Sequence, residues 1–121
     1  MAVLTVPILK VTSLNTATLA YGAGNAADTI DGSAGAELTP VSKDSKYLLQ
    51  INAVTGATVT ITKGTGVQAA QANLSAALTA NRPYYLSLES GRYLQTYGTN
   101  KGKILIASNQ ADTTILAFEL P

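Results

Sequence analysis

Two stretches of this 121-residue chain space their glycines as a dinucleotide-binding turn does: Gly22, Gly24 and Ala27 in YGAGNAA, and Gly64, Gly66 and Ala69 in KGTGVQA. Such a turn works because a parallel strand delivers the glycines to a helix N-terminus, whose free N–H groups hold a pyrophosphate. From Ala27 the sequence runs ADTIDGSAG, in which Gly32, Gly35 and two β-branched residues oppose a helix. Before Gly64, the run ATVTITK is expected to form a tight hairpin with Tyr47–Ala53, and an antiparallel strand is no part of a βαβ unit. Both copies therefore read as turn glycines, and no cofactor-binding residue is assigned.

Other chemistry is equally thin. The chain has no His and no Cys, which removes Ser-His-Asp and thiolate catalysis, disulfides and most zinc sites together. Its acids are Asp28, Asp31, Glu37, Asp44, Glu89, Asp112 and Glu119. A glycosidase needs two of them facing each other across a sugar; Glu89 and Glu119 fall near strand ends, but nothing in the pattern aligns them. Asp28, Asp31 and Ser33 lack the spacing and the terminal bidentate acid of a calcium loop. No catalytic or metal-binding residue is assigned, and an enzyme is not expected. Tyrosine is the one abundant recognition residue, with Tyr84, Tyr85, Tyr93 and Tyr97 close together in sequence as half-buried strand aromatics, a protein contact surface or a sugar-stacking face.

The charge balance narrows the partners. A formal net charge of +1 with 12% charged residues offers no basic stripe for a nucleic acid. No run approaches the ~18 apolar residues of a membrane span. MAVLTVPILK has no basic region before its apolar residues and meets Pro7 and Lys10 early, so it is not expected to be a secretory signal; synthesis in the cytoplasm is expected. A weakly charged, Thr- and Ala-rich surface is poorly protected against association, which favours ordered contact with other protein.

The elements that would position any site follow a period of two, in short β-branched blocks broken by Gly, Asn, Asp and Pro. In YLLQINA, Tyr47, Leu49, Ile51 and Ala53 point one way and Leu48, Gln50 and Asn52 the other; in ATVTITK, Val59 and Ile61 alternate with threonines, and VTGA (54–57) is read as the hairpin turn between them. PYYLSLE places Leu86 and Leu88 inward, Ser90-Gly91 turns the chain into RYLQTYG, and KILIAS and TTILAFEL complete an inner face through Ile104, Ile106, Leu116, Phe118 and Leu120. Further strands are expected within Leu4–Ser13, within Ala17–Tyr21 and around Leu38–Val41. In VQAAQANLSAAL (67–78) a loop followed by a strand is expected, with a helix as the competing reading. Residues 1–121 then form one domain: an all-β sandwich, Ig-like or jelly-roll-like, of eight or nine short, mainly antiparallel strands, with residues 22–35 as a flexible Gly/Ala loop.

The order of these blocks resembles that of the small head decoration, or cement, proteins of tailed bacteriophages. The match is carried by Lys46–Asn52, the V-T-I-x-x-G run Val59–Gly64, the E-S-G-R-Y turn Glu89–Tyr93, the strand opening Gly102–Ile104 and the apolar end Phe118–Pro121, and it covers roughly Ser45 to Pro121. The resemblance implies a non-enzymatic virion structural protein on the capsid exterior, which binds the lattice of the major capsid protein and stabilises it, with a homo-oligomer such as a trimer as its form there. Rival expectations are a carbohydrate-binding β-sandwich module and a phage tail or baseplate protein.

The first 44 residues have no counterpart in that family. Ala2–Val11 is too apolar for a free tail, and Pro7 cannot donate to a central ladder, so residues 1–20 are expected to supply an edge strand or arm. Val3, Leu4, Val6 and Ile8 are its candidate contacts with a neighbouring chain, alongside Tyr93 and Tyr97.

Overall fold

A computed structural model describes residues 3–11, 28–30, 34–40, 45–66, 69 and 71–120. Among them are ten strands: β1 (Leu4–Thr5), β2 (Ile8–Lys10), β3 (Asp28–Thr29), β4 (Ala36–Leu38), β5 (Lys46–Ala53), β6 (Ala57–Ile61), β7 (Leu74–Leu78), β8 (Tyr84–Glu89), β9 (Ile104–Ser108) and β10 (Thr113–Glu119), with one helical turn, α1 (Ser90–Tyr93). The first sheet runs β1-β4-β9-β6-β7 and the second β2-β10-β5-β8, with β3 also paired to β10. The all-β sandwich read from the period-two blocks is the fold. Two of its pairs, β1 with β4 and β2 with β10, are parallel. The segment from 74 to 78 is a strand, as expected; the strand expected within 17–21, most of the 22–35 loop and the first glycine copy lie outside the described residues.

The alternation of β5 becomes its burial: Tyr47, Leu49, Ile51 and Ala53 are fully or almost fully buried between the sheets, with Val59, Ile61, Ile104 and Ile106 facing them from the first sheet. Leu88 is buried and Leu86 packs half-buried beside it. In β10 the parity is the reverse of the expected one. Ile115 and Ala117 enter the core, Leu116 is buried on the other face, Phe118 is half-buried and Leu120 is exposed. An ILAF run is apolar on both faces, so period alone cannot set its parity. Thr113 fixes it: its hydroxyl is fully buried and shares a 2.7 Å hydrogen bond with Ser108 Oγ, which turns the odd-numbered residues inward.

The turn 54–57 is not a hairpin. β5 pairs with β8 and β10, whereas β6 pairs with β7 and β9, so the turn is an arch that carries the chain from one sheet to the other. The loop Asn109–Asp112 makes a second arch at the same end, from β9 to β10. The two are clasped: Asp112 Oδ2 accepts from Thr55 N (3.1 Å) and Thr55 Oγ1 (2.7 Å), and Asn109 Oδ1 accepts from Thr58 N (2.9 Å). Gly56 closes the first arch at φ +84, a conformation that L side chains rarely adopt. Ser90-Gly91 likewise does not lead into a strand. It opens the α1 turn, closed by Leu94 N donating to Ser90 O, and Leu94 then makes only an isolated bridge with Ile104.

The N-terminal segment binds both sheets. β1 extends the first sheet beside β4, β2 extends the second beside β10, and Val6 between them is 2% exposed. Pro7 stands at the crossing, where its missing N–H breaks no ladder and its carbonyl accepts from Ala117 N (3.0 Å).

Candidate functional site

The second glycine copy is used for docking within the chain. Gly64 N donates to Arg92 O (3.0 Å) and Thr65 N to Leu94 O (3.2 Å), while Thr96 N donates to Thr65 Oγ1 (2.7 Å) and Gln95 Nε2 to Lys63 O (3.0 Å). The amides of Gly64 and Thr65, at the start of the would-be phosphate turn, are thus already paired to carbonyls of the neighbouring segment. A Cβ on Gly64 would lie 2.8 Å from Arg92 O and 2.9 Å from Leu94 O, so glycine is required by backbone approach. The strand before it, β6, has only antiparallel partners, β7 and β9, although not the partner expected from the sequence.

This docking holds α1 against the end of the second sheet, and a groove of about 370 Å³ opens there. Its floor is Tyr47 and Leu88, both buried; its walls are Ser87, half-buried Tyr93 and Leu120; its rim carries Lys46, Glu89 and Arg92, all exposed. Lys46 and Glu89 face each other across β5 and β8, and Leu120 is tied down by its N–H donating to Lys46 O (2.9 Å). An apolar floor within a rim of mixed charge suits docking of another protein segment.

The same geometry excludes the paired-acid reading. Glu89 projects from the outer face of β8 and Glu119 from the core-facing side of β10, with β5 between them, so the two carboxylates stand on opposite faces of one sheet. Among the described residues no group of three acids could hold a metal ion. Asp31 and Ser33 lie outside the described residues.

The tyrosines are dispersed. Tyr84 packs against the core and its hydroxyl donates to Thr79 Oγ1 (2.9 Å) while accepting from Thr79 N (3.1 Å); these bonds, side chain first, hold its pKa below the ordinary phenol value, aided by Arg82 and opposed by partial burial. Tyr85 is 63% exposed on the outer face of β8. Tyr93 lies in the groove with its ring partly packed on the core, and Tyr97 is 70% exposed on the following loop. Of the N-terminal candidates, Val6 is in this chain's own core, Leu4 and Ile8 pack half-buried against it, and Val3 alone is exposed. The sequence reading missed Lys46, Arg92 and Leu120 as groove residues; the register that pairs Lys46 with Glu89 is what brings them together.

No protein-family model, curated protein or solved structure matches the chain.

Proposed function

We propose that the protein is a non-enzymatic structural component of a virion, which binds the outer surface of a phage capsid and stabilises it. One observation carries the reading: segments of the resemblance that lie far apart in sequence converge on one groove. Lys46 comes from the first strand run, Glu89, Arg92 and Tyr93 from the E-S-G-R-Y turn, and Leu120 from the apolar end. A groove whose apolar floor lies within a rim of Lys46, Glu89 and Arg92 can dock a segment of the major capsid protein while those charges stay at the hydrated periphery of the contact. Placement at many equivalent lattice positions then turns a modest contact into a stable shell, by multivalency if the bound copies also touch one another.

Sedimentation with empty heads of the phage that encodes the chain tests this. Saturable binding is expected, weakened about tenfold or more by Arg92→Glu with Leu120→Asp, because buried hydrophobic anchors and Arg dominate such contacts. Wild-type protein that stays in the supernatant at every ratio tested overturns the proposal.

A further inference from the structure

Among the described residues five strands lie at sheet edges, β1, β2, β3, β7 and β8, and all but β7 are short or blunted. β1 and β2 are two and three residues long, with Pro7 between them and Lys10 at the end; β8 follows Pro83 and carries Glu89. β7 has none of these devices. It is five residues long, LSAAL, without charge, proline or bulge, with Ser75 and Ala77 exposed, and among the described residues β6 is its one strand partner. Natural sheets protect such an edge because its free N–H and C=O groups template another strand.

We infer that β7 is a homodimer interface, at which the β7 strands of two copies pair antiparallel about a two-fold axis at Ala76. A second copy is the occupant that this uncharged edge suits. Around Ala76, Leu74 falls opposite the partner's Leu78 and Ser75 opposite the partner's Ala77, so one register satisfies both chains, as an isologous interface requires. Charge points the same way: identical copies meet like to like, and an uncharged strand avoids the repulsion that any ionised edge residue would create across the axis. β8 edges the second sheet on the same flank and adds contact area beside the joined sheet. Two five-residue strands with that flank cover on the order of 400 Å² per chain, about half of a standard interface, so the dimer is weak and forms with a Kd in roughly the tens to hundreds of micromolar. This inference does not depend on capsid binding.

Sedimentation equilibrium between about 5 and 500 μM tests it. The expected result is a rise from the 12.5 kDa chain mass toward twice that value. Ala77→Lys, at an exposed position, should hold the protein monomeric throughout while its thermal midpoint stays unchanged. Because the chain has no cysteine, Ser75→Cys with Ala77→Cys gives a second readout, a disulfide-linked dimer on mild oxidation. A monomer at every concentration, a trimer, or a dimer that survives Ala77→Lys overturns the inference.

Discussion

Replacing Gly64 with alanine tests the central correction to the glycine motif. The added Cβ would sit 2.8 Å from Arg92 O, 2.9 Å from Leu94 O and 3.0 Å from Leu94 N, all backbone atoms that cannot rotate away. The 63–66 segment must therefore withdraw from α1, lengthening the bonds from Gly64 N to Arg92 O and from Thr65 N to Leu94 O. Overpacking costs about 1–3 kcal/mol, and each weakened hydrogen bond up to ~1 kcal/mol, so a loss of about 2–3 kcal/mol is expected. For a domain of this size that lowers Tm by roughly 8–12 °C.

Urea denaturation of Gly64→Ala beside Gly66→Ala is the assay. A Cβ on Gly66 meets only the Thr96 methyl, at 3.1 Å, which a side-chain rotation relieves; its loss should stay below about 1 kcal/mol. Equal small effects at both positions would refute the docking argument. So would stabilisation of the wild type by a dinucleotide, because the Gly64 and Thr65 amides are occupied within the chain.

Val6→Ala should cost about 2 kcal/mol in chemical denaturation and Val3→Ala under ~0.5, since Val6 is 2% exposed and Val3 48%. Leu116→Ala should destabilise by about 2–4 kcal/mol, more than Phe118→Ala, because Leu116 is fully buried and Phe118 is not; the opposite order would restore the other parity of β10. Asp112→Ala removes the acceptor of both Thr55 bonds and should cost about 1–2 kcal/mol, largely spared by Asp112→Asn. An ultraviolet pH titration should show an early phase, below the ordinary phenol value, from Tyr84. Its lowered folded-state pKa adds stability only in alkaline solution, above the folded value, and that gain disappears as pH falls through it, so Tyr84→Phe should abolish the early phase.

The strands were legible where one face is polar. Thr58, Thr60 and Thr62 leave Val59 and Ile61 only one way to point, and Gln50 and Asn52 do the same for β5. Strand partners were not legible, since VTGA suits a hairpin and an arch equally; local turn chemistry bends the chain without saying whether the flanking strands pair or separate into two sheets. The parity of β10 was hidden for a related reason: its signal is a polar residue, Thr113, whose inward role depends on Ser108 across the second arch. The groove combines these failures. Tyr93 was visible as a candidate, but Lys46 and Leu120 become its neighbours only through the β8-β5-β10 order.

That order also separates the work of the two ends of the sandwich. At one end the connections between strands are short, 54–56, 79–83 and 109–112, and side chains lock them together: Asp112 and Asn109 across the arches, with Asn81 N donating to Ala53 O (2.8 Å) beneath them. Change there strikes bonds that hold the sheets in register. At the other end the segments 62–73 and 90–103 are longer, and they are joined by main-chain bonds around Gly64 and by the Thr65, Gln95 and Thr96 side chains, which leave the side chains of Arg92, Tyr93 and Tyr97 outside the lock. Docking of this kind fixes where a surface lies without dictating the residues on its rim. The proposed capsid contact is therefore assigned to the groove end, where substitutions on the rim can tune affinity while the clasped arches keep the fold.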